Sequence, residues 1–452
     1  MKMILAVAFT ALVAAGHGHA AGDANRLGND LTPMGAIKAA NADGSIPAWS
    51  GGITTPPAGY KPGGPLVDPF AGEKPIATIT GANVATYEAL LPAGQVAMLK
   101  RFPTYHVNLY PSHRTCAASK AVYDGTRKNA GLAKLTANGK GLADGTVGIP
   151  FPFAANGLEM FWNHRLRPRG GFMFKRYFAL AAVSSTGDYR LTKLRDEGIN
   201  HLMGPGRRAP GDVSDLSGLQ NIWITYMATT TAPARLSGQI TLVYDNINDD
   251  VGPRQAWQYN PGTRRVLRAP ELAFDAPGTN ADGLATIDQF DMMNGSPERY
   301  DFKHLGDREA IIGYNAYQAK LMPYKQLLTK GHINPDALRY EKHRVHVVEA
   351  TLKEGARHIY ARRVFFQDED SWGFVAASLY DTRGNLWRFQ EAPVVNSYDV
   401  PFCGPALEIS NDLQADRYLA SLMTNEEKMP EWNAKLNLDD FTPDALRSAG
   451  TR

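Results

Sequence analysis

The chain lacks most of what announces chemistry. Two cysteines among 452 residues, Cys116 and Cys403, offer at most one disulfide, and no C-x-x-C is present. There is no G-x-S-x-G elbow, no H-E-x-x-H, no P-loop and no dinucleotide G-x-G-x-x-G opening a helix. Nothing therefore marks a cofactor, and none is expected. After the first twenty residues no apolar run approaches the ~20 that a membrane-spanning helix needs. Lys and Arg number 48 against 45 Asp and Glu, a formal balance of +3 that falls to +2 without Lys2. That surplus is too small to argue for nucleic acid or an anionic membrane. No internal repeat or low-complexity tract appears.

What is present is strand signal. Residues 344–352 (RVHVVEATL), 358–367, 372–380 and 386–391 are β-branched and aromatic runs separated by short polar turns, an antiparallel meander and not a βαβ unit. Upstream, residues 170–183, 219–229, 236–246, 254–267 (with a turn at 260–263) and 300–312 read the same way. The expected fold is mainly β with flanking helices, a curved antiparallel sheet or half-barrel spanning residues 148–400.

The ends differ. Lys2, the apolar residues 3–15 and Gly18-His19-Ala20 read as a secretory signal peptide over residues 1–20, so a periplasmic protein without a lipid anchor is expected. Residues 21–147 read as a Pro/Gly-rich wrap followed by covering helices. Ile46, Trp49, Ile53, Tyr60 and Phe70 peg the wrap, and helices are expected over 82–101, broken at Pro92 and Gly94, and over 120–135. Residues 401–452 read as helical, with Leu413, Tyr418, Leu419 and Leu422 at helical spacing and Asn411 as N-cap.

Several clusters invite chemistry and are weighed against plainer readings. His343 and His346, three apart on a strand, point to opposite faces and so do not share an ion. Residues 245–250 lack the Gly and Glu of a calcium loop and read as a polar hairpin. Gly204-Pro205-Gly206 before Arg207 and Arg208 reads as a surface turn. Asp368, Glu369 and Asp370 with Arg362 and Arg363, and Arg264, Arg265 and Arg268, read as ion pairs on a solvated sheet face. Glu349, inside an apolar strand, needs a partner such as Arg344 or Arg363 if it is buried, and reads as structural. Cys116 and Cys403 either pair in an oxidising compartment, tying the N-terminal region to the C-terminal one, or remain buried thiols. Aromatic residues are the remaining resource. Trp162, Trp223, Tyr226, Trp257 and Tyr259, with Tyr300, Tyr360, Phe365, Trp372 and Trp387, fall on or beside strands, and some are expected to line an apolar cavity on the concave face.

The phrases LGNDLTPMGAIKAANADGSIPAWSGG (27–52), GIPFPFAANGLEMFWNH (148–164), NGSPERYDFK (294–303), RYEKHRVHVVEATLK (339–353), RHIYARRVFFQDEDSWG (357–373) and YDTRGNLWRFQEA (380–392) resemble an uncharacterised periplasmic family of proteobacteria grouped with LolA/LolB-like lipoprotein and lipid carriers. The resemblance implies a LolA/LolB-like half-barrel and a non-catalytic carrier for a lipid or other long-chain hydrophobic ligand. It also implies service to an efflux-type exporter and an outer-membrane partner. The alternative is an adaptor that docks to such a complex through its surface.

Overall fold

A computed structural model describes residues 23–203, 219–269 and 274–449. The leader expected at 1–20 and the turn at 204–208 lie outside these residues. One 15-stranded sheet organises the chain. Two short strands, β1 (Ala77–Ile79) and β2 (Val107–Leu109), come first. A first meander follows, with β3 (Met173–Val183), β4 (Leu191–Asn200), β5 (Ile222–Ala232), β6 (Ile240–Asn246), β7 (Gln255–Asn260) and β8 (Arg265–Arg268). A second holds β9 (Tyr300–Gly313), β10 (Tyr340–Leu352), β11 (Arg362–Asp368), β12 (Phe374–Tyr380) and β13 (Leu386–Glu391). Within each meander, successive strands pair antiparallel, most of them across short polar turns, while longer connections of residues 201–221 and 314–339 join β4 to β5 and β9 to β10. The sheet is strongly curved and open, as expected.

The C-terminal region corrects the sequence reading. Residues expected to form a helix make β14 (Glu408–Asp412) and β15 (Arg417–Met423) instead, and these two strands join the meanders by pairing with β13 on one side and β3 on the other. The Asp412 carboxylate accepts from the amides of Gln414 and Ala415 at 3.1 and 3.0 Å and so holds the tight turn between β14 and β15. Tyr418 and Leu419 then point to opposite faces and enter different apolar clusters, so period two wins over the helical spacing. Among the described residues of this region only Pro443–Ala449 is an α-helix.

The other helices follow the sequence more closely. The first lies at Val84–Tyr87; after Pro92 comes α1 (Ala93–Arg101), and then α2 (Lys120–Leu132). Gly125, which weakens the sequence case for α2, has a packing reason: a Cβ there would lie 2.0 Å from the Val147 carbonyl oxygen. Residues 148–161 read from the sequence as an apolar entry strand or loop leading into Trp162; from 157 onward they instead belong to α3 (Gly157–Leu166), with Asn156 accepting from the amides of Leu158 and Glu159 as N-cap. Every described residue of α3 except Leu158 is buried, as fits a helix enclosed on all sides. We number the C-terminal helix Pro443–Ala449 α4.

The N-terminal segment is an ordered wrap. Ile46 is fully buried, Trp49 donates to the Cys116 carbonyl at 3.0 Å, Tyr60 donates to Asp399 at 2.9 Å, and Phe70 stacks on His113 at 4.1 Å. Cys116 and Cys403 are joined in a disulfide with Cα atoms 5.5 Å apart, linking regions 287 residues apart in sequence.

Candidate functional site

Partners in an antiparallel register share a face, so the pairing traces one side of the sheet, the side that carries α3 and that we call concave. Across β10 to β15 one row reads Val348, Phe365, Ala377, Gln390, Ser410 and Leu419, and Leu419 faces Ala182 on β3. Over the second meander this side is filled by α3, whose His164 stacks on Phe374 at 4.2 Å. Over the middle it is covered by residues 274–294: the Gln289 carbonyl accepts from Gln390 at 2.7 Å and the Leu284 carbonyl from Ser410 at 3.0 Å.

Over the first meander the same side is not filled. A cavity of about 570 Å³ lies there, inside the ~300–1,000 Å³ range of small-molecule sites. Its floor alternates with the sheet's period of two. Phe174, Arg176, Phe178 and Leu180 come from β3, Leu194 and Asp196 from β4, and Tyr226, Ala228 and Thr230 from β5. Small side chains make the room: Ala228 and Thr241 face each other across β5 and β6, and Gly198 sits opposite Phe174, where a Cβ would lie 2.3 Å from its ring. Phe290, Phe402, Cys403 and Trp432 border the cavity from other segments.

Charge concentrates at the end nearest α3. The helix brings in Arg165, and the chain leaving it brings Arg167 and Arg169. Asp245, at the end of β6, accepts from Arg165 and Arg254 at 3.0 Å each and from the Trp223 indole at 3.2 Å. Burial alone would raise this carboxyl, but the two guanidinium groups outweigh it and hold it at about 2. Asp245 thus anchors two arginines. Arg167 and Arg169 both bridge Asp291, and Arg176 bridges Asp196. Arg167 and Arg169 also donate to the His164 and Arg165 carbonyls at 2.6 and 3.0 Å, satisfying the C-terminus of α3. Burial, then the nearby Asp291 charge, pushes Glu408 up to about 8. Burial, then Arg176, lowers Lys320 to about 8.

Of the aromatic residues expected here, Trp223, Tyr226 and Tyr259 border the cavity. Tyr259 and Trp257 also pack in the cluster under α4 on the convex side. Trp162, Tyr300, Tyr360, Phe365, Trp372 and Trp387 belong instead to the filled concave side of the second meander. There Tyr300 donates to the Tyr360 carbonyl at 2.8 Å, Phe365 stacks on Phe374 at 4.3 Å, and Trp372 donates to the Met34 carbonyl of the wrap at 2.8 Å. The cavity's cations were missed, although the spacing of Arg165, Arg167 and Arg169 just before an alternating strand was visible.

Other charged residues also differ from expectation. Asp368, Glu369 and Asp370 are buried beneath the wrap and not solvated; Arg114 donates to Asp370 at 2.7 Å and to Glu369 at 3.2 Å. Burial and the neighbouring Asp370 push Glu369 up to about 8. Glu349 pairs with Arg362 at 3.3 Å, because Arg363 points inward to Asp288 at 2.6 Å. His343 stacks on Tyr314 and His346 on Trp372, on opposite sides of β10. They fall in separate groups, His343 with Asp368 and Asp370, and His346 with His304 and Asp307.

Among solved structures, a domain described as an outer membrane lipoprotein-sorting protein from Vibrio parahaemolyticus is similar at 14% identity and a TM-score of 0.44, covering 64% of this chain and 98% of that one. A LolA superfamily protein of Nitrosomonas europaea is similar at 12% identity and a TM-score of 0.37, covering 64% and 99%. In sequence, the chain is 43% identical over 438 residues to the uncharacterized protein PA3922 of Pseudomonas aeruginosa, covering 96% of this chain and 94% of that one. Residues 78–447 match the family described as "Protein of unknown function (DUF1329)", and the chain belongs to that family.

Proposed function

We propose that the protein is a non-catalytic carrier that holds a lipid-like, amphiphilic ligand in the concave cavity of its first meander. It works in the periplasm after loss of its leader, and hands its ligand between an efflux-type exporter and an outer-membrane partner. The observation that carries this reading is the cavity, where a face that the rest of the sheet fills is left open and lined by Phe174, Phe178, Leu180 and Tyr226. Each methylene buried there contributes ~0.8 kcal/mol, so a long acyl chain binds tightly by burial alone and release needs only a second apolar surface. An adaptor that docks through its surface has no use for such a cavity, which favours the carrier over it.

Native mass spectrometry of protein purified from the periplasm, followed by organic extraction and lipid analysis, tests the reading. A stoichiometric lipid or long-chain ester is the expected result. Ligand-free protein that also ignores fluorescent fatty-acid probes would overturn it.

A further inference from the structure

The cavity carries more positive charge than its own carboxylates offset. Arg165, Arg167, Arg169, Arg176, Arg254 and Lys320 line it, against Asp196, Asp245, Asp291 and Glu408. Glu408, raised to about 8, keeps its proton at neutral pH and leaves three carboxylates for the six cations. Lys320 has no carboxylate within ion-pair distance among the described residues; its ammonium reaches only the Ala406 carbonyl, at 3.5 Å.

Salt bridges and helix capping account for part of this set but not for all of its donors. Nε and Nη1 of Arg165, Nε of Arg169 and Nε of Arg176 are buried with no acceptor among the protein's own described groups. The Arg165 side chain is 2% exposed, so its donors cannot turn to bulk water. A buried guanidinium without acceptors is costly. Arg169 and Arg176 lie close enough to repel: burial, then Arg167, with Arg176 adding to them, pushes Arg169 down to about 10. A group that brings two or three acceptor oxygens and negative charge would satisfy these donors and relieve the repulsion together.

We propose that the ligand is an acidic amphiphile whose carboxylate or phosphate head group is held by Arg169, Arg176 and Lys320, with Arg165 behind them, while its chain lies along Phe178, Leu180 and Leu194. The inference rests on the carrier reading and specifies its ligand class. The apolar tail region is on the page in the floor of β3 and β4, and the cations border the same cavity, so one molecule spans both.

Isothermal titration of the full mature protein with palmitate, hexadecyl phosphate, hexadecanol and inorganic phosphate tests it. The two acidic amphiphiles are expected to bind about tenfold or more tightly than hexadecanol at low salt, with the advantage shrinking as salt rises. Arg169→Gln, Arg176→Gln and Lys320→Gln should each cut that advantage severalfold. Equal affinity for palmitate, hexadecyl phosphate and hexadecanol in the wild-type protein would overturn the head-group assignment while leaving the carrier reading standing. Inorganic phosphate binding as tightly as hexadecyl phosphate would overturn it too, by exposing a plain anion site. Failure of all three amphiphiles to bind would remove the carrier reading and this inference with it. The wild-type comparison decides the matter even where a variant does not fold.

Discussion

The two meanders use one pattern of alternating side chains to opposite ends. In the second, both faces are covered. On the concave side α3 and residues 274–294 cover the sheet, and Arg363, caught there, donates to Asp288 at 2.6 Å and to Tyr300 at 3.1 Å, although its Nη1 has no acceptor among the described residues. In the first, α4 packs on the convex face and the concave one is left open, the small residues Gly198, Ala228 and Thr241 adding to the room there. The second half is therefore the stable scaffold and the first the adaptable site. Aromatic content is a poor guide to which is which, since a ring fills space and a cavity needs its absence.

That contrast can be broken by substitution. The largest expected effect is at Asp288. Replacing it by Ala strands the fully buried Arg363 and should cost ~3–5 kcal/mol in urea unfolding, whereas Arg176→Gln, at a half-buried side chain whose replacement amide still donates to Asp196, should cost no more than ~1 kcal/mol. Comparable costs at both sites would remove the distinction.

The disulfide comes next. Cys116→Ser with Cys403→Ser should lower stability by ~2–4 kcal/mol, because the bond closes a long loop of the unfolded chain. Reductant should shift the wild-type midpoint by a similar amount and leave the double variant unmoved. A wild-type protein indifferent to reductant would show that the two cysteines are not joined.

A paired overpacking test is sharper though smaller. Ala377→Leu, in the filled meander, should cost ~1–3 kcal/mol, while Ala228→Leu, facing the cavity, should cost little and yet weaken palmitate binding. Equal destabilisation at the two positions would mean that the concave side of the first meander is as tightly packed as the second.

The smallest effect is in pH. Burial raises Glu391 to about 7 in spite of the Tyr340 and Tyr105 hydroxyls that donate to it. Its folded-state value lies above the ordinary carboxylate value, so the folded protein keeps a proton that the unfolded chain has lost. Its contribution is complete below about pH 4.5 and is lost as the pH rises to about 7. Glu391→Gln should flatten the fall in unfolding midpoint across that window. Part of the slope should remain, because Glu369 and Glu408 are raised as well.

The meander from 339 to 392 was legible because its turns are polar and its strands β-branched. β4 was not: Leu191–Asn200 carries Lys193, Arg195, Asp196 and Glu197 and looks like a loop until its neighbours supply Lys175 to Glu197 at 2.9 Å and Arg176 to Asp196. The β14–β15 hairpin was hidden because its apolar spacing fits a helix, and only pairing with β13 and β3 decides between the periods. The buried acidic turn at 368–370 failed for a related reason. Its cover, Arg114 and the wrap, lies more than 250 residues away in sequence.

The placement of β14 and β15 also sets an order of events in time. Chain emerges N-terminus first, so the first meander is complete while the edge of β3 still exposes the unpaired amides and carbonyls that β15 will later satisfy. Until the last strands arrive, the two halves have no backbone ladder between them and the cavity has no finished wall. The protein is therefore a late-closing molecule, whose half-made edge needs shielding from other chains until residues 408–423 are added.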